Sequence, residues 1–154
     1  MTTRGIRFLK QNRIPHLVVK YHHTEKGAEF AARAVDFPLA RTVKTLVVAL
    51  DSNRFALVLV AGDRQLSMKK VARVCKAKRA AMADTATAQR LTGYQVGGIS
   101  PFGTQKKELG AVMDASLTLH QEVMINAGQR GIMVKISPGD IVKTLKPAIA
   151  DLSA

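Results

Sequence analysis

The 154 residues suit one domain with a real hydrophobic core, and 47% hydrophobic against 23% charged residues excludes a disordered chain. The 24 Lys and Arg outweigh 11 Asp and Glu, and the resulting charge of +13 favours a polyanionic partner such as RNA, DNA or an anionic membrane surface. A single cysteine, Cys75, excludes an internal disulfide and a cysteine-based zinc site, and no apolar run approaches the ~20 residues a membrane helix needs.

The N-terminus Met1-Thr2-Thr3-Arg4-Gly5 has no apolar signal core, so a cytoplasmic location is expected. Thr3 can cap a helix running to Gln11, with Ile6 and Leu9 at helical spacing and Asn12 closing it. After Pro15, residues 16–21 read as a strand with Leu17, Val19 and Tyr21 on one face. A polar loop, 22–27, precedes a short alanine-rich helix from Ala28 to Val35, stopped before Pro38. Residues 41–50 form the most strand-like stretch, rich in valine and leucine, with Lys44 in its first half. A turn at Asp51-Ser52-Asn53 leads to its hairpin partner, 54–61. Ser67 caps a helix to about Lys76, Ala80–Met82 suits a short strand, and Asp84 caps a helix ending at Gly93. A glycine-rich apolar stretch covers 94–103. Residues 110–114 suggest a strand, and 117–121 fit no single pattern. Residues 122–126 and 132–136 pair around a turn at 127–131, and Ser137-Pro138-Gly139-Asp140 starts a helix to about Lys146. Helices interspersed with adjacent strands give an α+β fold, a single domain over 1–154, whose sheet cannot be purely parallel.

Chemistry is expected in two places. Lys44 is an ammonium in an apolar strand, so it either blunts a sheet edge or waits for an anion in a pocket. Gly97-Gly98-Ile99-Ser100-Pro101-Phe102-Gly103 lets bare backbone approach a ligand and aim N–H groups at an oxyanion, unless it is only a tight turn. Phe102 stands where a nucleophile elbow needs glycine, and no histidine has a defined relation to Ser100. His16, His22, His23 and His120 show no metal-ligand spacing, so no metal or cofactor is expected. Cys75 lies on a helix stripe with Val71 and Ala72 and reads as core. Lys69, Lys70 and Arg73 lie along one helix and, with Lys106, Lys107 and Arg130, could track a phosphate backbone; a merely solvated face gives the same pattern. Few aromatics (five Phe, two Tyr, no Trp) argue against a platform stacking many bases.

The ordered set 43–48, Met82-Ala83-Asp84, Thr92 through Gly103, and Gly128-Gln129-Arg130-Gly131 resembles the YbaK/EbsC family, which includes the editing domain inserted in bacterial prolyl-tRNA synthetases. The resemblance runs from about Thr3 to Lys146. It implies a compact, mixed and mostly antiparallel, barrel-like sheet flanked by helices. It also implies an aminoacyl-tRNA deacylase acting in trans on Cys-tRNA-Pro, with Cys-tRNA-Cys and Ala-tRNA-Pro as alternatives. The expected partners are then tRNA and, as a candidate, prolyl-tRNA synthetase, with no DNA or membrane. Carried over by matching positions, Lys44, Gly97 and Gly98 would be catalytic. Tyr21, Phe30, Thr45, Ile99, Ser100 and Asn126 would bind substrate. Asn126 stands where YbaK-like members often carry serine, which bears on the amino acid removed. Ester hydrolysis needs little beyond orienting the ester and holding the developing negative oxygen, which N–H groups near Gly97 could do. Lys44 is expected to stay protonated as an electrostatic anchor, on phosphate or ribose oxygens or on the ester carbonyl. Water, a ribose hydroxyl or a substrate thiol could attack. Two competing readings remain: a non-catalytic tRNA-binding module associated with a synthetase, and a site for small anionic metabolites.

Overall fold

The computed structural model describes residues 2–25, 27–105 and 109–154. Four of the described α-helices begin at residues whose side chains satisfy the first free N–H groups. Helix α1, Arg4–Gln11, starts where Thr3 Oγ1 accepts the Ile6 N–H at 3.0 Å. Helix α2, Ala28–Ala34, begins after Gly27 without a side-chain cap. Ser67 accepts from Lys70 N–H at 3.2 Å to open α3, Met68–Val74. Asp84 accepts from Thr87 N–H at 2.7 Å to open α4, Thr85–Thr92, which Gly93 ends in the left-handed region at φ +79°. Ser137 caps α5, Pro138–Leu145, with proline in the first position. Short 3-10 turns at Leu39–Arg41 and Ala115–Leu119 complete the helical segments; the second resolves the ambiguous stretch after residue 114.

Among the described residues, eight strands form two sheets. Strands β1 (Leu17–Lys20), β7 (Ile132–Ile136) and β6 (Val123–Gln129) lie in the order β1-β7-β6, all antiparallel. Strands β4 (Ala80–Met82), β2 (Val43–Leu50), β3 (Phe55–Ala61), β5 (Gly110–Asp114) and β8 (Ala148–Ala150) form the second sheet, in that order. The β4-β2-β3 part is antiparallel, while β3-β5 and β5-β8 are parallel. A parallel bridge between Thr42 and Met124 joins the sheets. The expected mixed, mostly antiparallel α+β class holds, but the two sheets meet at a bridge and do not close into a barrel.

Three local differences from the sequence reading have simple causes. Strand β6 runs on to Gln129 because a bulge between Asn126 and Gln129 absorbs residues assigned to the turn. Leu17 is 61% exposed, because β1 is an edge strand whose start overhangs the core, while Val19 and Tyr21 pack against Ala31, Met124 and Met133. Strand β8 has no signal in the sequence, because three residues after Pro147 carry no period and their pairing with β5 is remote in the chain.

Strand β2 separates two parts of the core. Val48 packs with Ala56, Val58 and Val71 of α3, and its neighbour Val47 packs with Leu57 and with Ala88 and Leu91 of α4. Successive strand residues point to opposite faces, so each helix covers one face of the sheet. A third cluster, built on Leu9, Leu59, Phe102, Ile125 and Val134, fills the junction between the sheets. The order of elements leaves the first half of β2 exposed at its outer edge, where β4 does not reach.

Candidate functional site

A cavity of about 350 Å³ opens at that uncovered edge. Val43 through Val47 form one wall, Tyr21, Ala28 and Ala31 a second, Met82, Ala83, Thr85 and Ala88 a third, and Val96, Gly97 and Ile99 a fourth, with Asn126 and Met133 at the sheet junction. Ala28 and Ala31 lie three apart on α2, so one helix face presents two methyl groups and leaves room.

The backbone direction of β2 follows from two hydrogen bonds. Gly62 N–H donates to Thr42 O at 2.7 Å on the β3 side, and Ala83 N–H donates to Val47 O at 3.0 Å on the opposite side. Backbone groups alternate along a strand, so the N–H and C=O of Thr45 point to the outer edge. Strand β4 pairs with residues 48–50 alone, and the bridge to Met124 lies at Thr42. Thr45 therefore turns toward the cavity a backbone donor and acceptor that have no partner among the described residues. Its Oγ1 is also buried without a hydrogen-bond partner among the described residues. Such an orphan costs ~1–3 kcal/mol and marks a place where a ligand can supply what the protein does not.

The Gly97-Gly98 turn is held from three sides. Asn126 Nδ2 donates to Gly97 O at 3.2 Å, and Asn126 Oδ1 accepts the Gly128 N–H at 2.8 Å, so one amide ties the loop to the β6–β7 bulge. Arg130 Nε and Nη2 donate to Val96 O at 3.3 and 3.0 Å. Gly98 N–H donates to Gln95 O at 2.9 Å. Gly97 has φ +96°, and a Cβ there would stand 2.5 Å from Arg130 Nε; on Gly98 it would stand 2.9 Å from Gln129 Cα. Both positions require glycine because the β6–β7 turn packs directly on the loop. The N–H groups of Gly97 and Ile99 have no partner among the described residues, whereas that of Gly98 is spent inside the turn.

Lys44 contributes to the cavity wall, but strand alternation sets its Cβ on the face opposite Thr45 and Val47. Its ammonium donates to Arg64 O at 2.8 Å. To meet a ligand oxygen in the cavity, the side chain must exchange that carbonyl, which a flexible four-carbon stem on a half-exposed residue permits. Burial raises the Tyr21 phenol above its usual pKa, opposed by a backbone hydrogen bond from Gly131, so Tyr21 stays neutral and able to donate at physiological pH.

Of the residues expected at the site, Tyr21, Lys44, Thr45, Gly97, Ile99 and Asn126 meet at the cavity. Others lie elsewhere. Gly98 faces the far side of its turn. Phe30 packs against the Tyr21 ring at a tilt of 52°, centroids 6.2 Å apart, and is not among the lining residues of the cavity. Ser100, which the resemblance placed among the substrate-binding residues, is fully buried, and its Oγ accepts the Phe102 N–H at 3.1 Å inside the turn. On α3, which covers the sheet face away from α4, Lys69 and Arg73 are exposed, and Lys70 is bound to Asp151 Oδ2 at 2.8 Å and Ser153 O at 2.6 Å. Lys106 and Lys107 lie outside the described residues. Val96, Met133 and the α4 residues Thr85 and Ala88 belong to the wall and had not been singled out; Met82-Ala83-Asp84, part of the family pattern, was the one sequence signal pointing to that side. Among the described residues, no three His, Cys, Asp or Glu side chains gather as metal ligands, and no helix is long and apolar enough to cross a membrane.

Known proteins resemble both the chain and its fold. Residues 22–144 match the family model of the aminoacyl-tRNA editing domain. An Enterococcus faecalis protein provisionally named Cys-tRNA(Pro)/Cys-tRNA(Cys) deacylase EbsC is 24% identical over 153 residues, 98% of this chain and 93% of that one. The proline–tRNA ligase of a Sulfurihydrogenibium species is 31% identical over 105 residues, 68% of this chain but 18% of the ligase. A solved structure provisionally described as a trans-editing enzyme for prolyl-tRNA synthetase superposes with a TM-score of 0.87 at 24% identity, over 100% of this chain and 99% of that one, a likeness of fold. Since the family model spans most of the sequence, including β2, the Gly97 loop and the β6–β7 turn that build the cavity, the chain belongs to the aminoacyl-tRNA editing family, in its YbaK/EbsC branch.

Proposed function

We propose that the chain hydrolyses the ester of mischarged tRNA in trans, with Cys-tRNA-Pro as its first substrate and Cys-tRNA-Cys or Ala-tRNA-Pro as the nearest alternatives. The observation that carries this reading is the edge cavity: small, walled mainly by apolar groups, and supplied at one spot with the unpaired Thr45 backbone and hydroxyl. A cysteinyl or alanyl side chain fits among the methyl groups of α2 and α4, and its α-amino group can donate to Thr45 O. The ester carbonyl then lies toward Gly97 and Ile99, whose N–H groups can stabilise the oxyanion that forms when a nucleophile adds to the carbonyl carbon. When water is the nucleophile, collapse of that tetrahedral species releases the ribose oxygen, which takes up the proton that the water gives up, and frees the amino acid. A neighbouring ribose hydroxyl or the substrate's own thiol would pass through an oxyanion at the same place, giving a new ester or a cyclic thioester that water must then open, so none of the three routes requires a side-chain nucleophile. Lys44 supplies positive charge, after leaving Arg64 O, for the carbonyl or for the sugar–phosphate oxygens beside it. Asn126 sits at the sheet junction and contributes to the choice of amino acid. Prolyl-tRNA synthetase, which would generate the principal substrate, is the proposed partner.

The test is a deacylation panel of Cys-, Ala- and Ser-charged tRNA-Pro and tRNA-Cys. Wild type should release cysteine fastest from tRNA-Pro, and Lys44→Ala should lower kcat by ~10²–10³-fold, the scale of one lost oxyanion contact. Equal activity in the two proteins would remove Lys44 from the mechanism, and tRNA binding without single-turnover ester loss would instead favour a non-catalytic module.

A further inference from the structure

The Gly97-Gly98 turn has two faces. Gly97 borders the edge cavity, and the next residue, Gly98, borders a separate groove of about 510 Å³ with His23, Gln95, Gln129 and Arg130. The two spaces lie on either side of this turn, against which Arg130 and the backbone of Gln129 pack closely. Their chemistry differs: the cavity wall is mainly apolar, while among the described residues the groove is lined with polar side chains and no carboxylate. His23, Gln95 and Gln129 are exposed, and their side chains have no hydrogen-bond partner among the described residues. Arg130 directs Nε and Nη2 to Val96 O, which fixes the guanidinium beside the turn while Nη1 remains available.

A deacylase must accommodate both ends of its ester. The acyl group suits the cavity, but the alcohol is a nucleotide, whose base, sugar and phosphate are too polar and too large to share a space of about 350 Å³ with it. The nucleotide has to leave the cavity, and the groove lies on the other side of the Gly97-Gly98 turn. We propose that this groove holds the terminal nucleotide of the acceptor strand, with Arg130 and His23 facing its phosphate and Gln95 and Gln129 facing its sugar and base. Sequence-independent phosphate contact and a few polar side chains suffice there, because every tRNA ends in the same nucleotide. The inference rests on the deacylase reading, and it assigns the acceptor end to the groove and not to the lysines of α3.

Titration with 5′-AMP, followed by backbone amide NMR, should shift His23, Gly98, Gln129 and Arg130 in preference to α3. The double variant Gln95→Glu, Gln129→Glu should raise KM for an aminoacylated minihelix about tenfold, with kcat within about twofold, because carboxylates in the groove repel phosphate without touching the ester. Shifts centred on Lys69 and Arg73, or an unchanged KM with active wild type, would overturn the proposal. A kcat that falls in step would overturn it too, by showing that the substitutions disturb the reacting centre. If wild type deacylates none of the charged tRNAs, the editing reading fails, and the 5′-AMP titration by itself decides the groove.

Discussion

The two halves of β2 differ in one respect. Residues 48–50 have β3 on one side and β4 on the other, whereas Thr45 has β3 on one side and an open edge on the other. The covered half is ordinary core: Val48 is fully buried, and the ladder satisfies its backbone. Among the described residues, the open half carries a buried hydroxyl and a backbone donor and acceptor without partners, and it borders the cavity. The covered half is held by two ladders, and the proposed binding falls in the half where the second ladder stops. Shortening β4 to three residues is what creates the site.

That contrast can be broken by substitution. The largest effect should come from the covered half: Val48→Asp buries a carboxylate among Ala56, Val58 and Val71, at a cost of several kcal/mol, enough to remove most of a domain's ~5–15 kcal/mol. Loss of the cooperative thermal transition would show it; a folded variant would mean that the face is wetter than its packing indicates. Gly98→Ala should rank next, because the new Cβ meets the backbone of Gln129 at 2.9 Å and the loop must shift to admit it. Displacing the loop by about 1 Å should lower the deacylation rate by ~10²-fold while the melting temperature falls by only a few degrees.

Thr45→Val sharpens the comparison, because it removes the orphan hydroxyl and keeps the shape. Stability should stay level or rise by up to ~1 kcal/mol, since the unsatisfied group disappears, while activity falls about tenfold, the scale of one lost hydrogen bond to substrate. A variant that loses both would show that the hydroxyl serves the fold. The smallest effect concerns pH. The Thr87 backbone N–H, and then the Thr87 hydroxyl, hold the Asp84 carboxylate below its ordinary pKa of 3.8. A depressed folded pKa contributes stability above the unfolded value and loses it as pH falls through the folded value. Asp84→Asn, which can still cap α4, should therefore narrow the gap in melting temperature to wild type below about pH 4. Parallel curves down to pH 2 would remove the charge from the account.

Much of this was legible before any coordinates. Caps at Thr3, Ser67, Asp84 and Ser137 set the starts of four helices, because a side chain that satisfies free N–H groups acts within three residues. The β2–β3 hairpin followed from a short turn between two apolar runs. Local chemistry also marked Lys44 and the glycine pair as unusual, and the ordered motifs identified the family. Other features depend on what meets in space. No pattern in the sequence says that β4 pairs with only the last residues of β2, that Lys44 rests on Arg64 O, or that Ser100 turns inward to Phe102. Nor could it say that Gly97 and Gly98, adjacent in the chain, border different spaces. Sequence determined the elements, their caps and the family, because those rest on residues within a few positions of one another. Tertiary structure decided where β2 loses its partner and so where a ligand can supply one, because an open edge is defined by a strand that does not arrive.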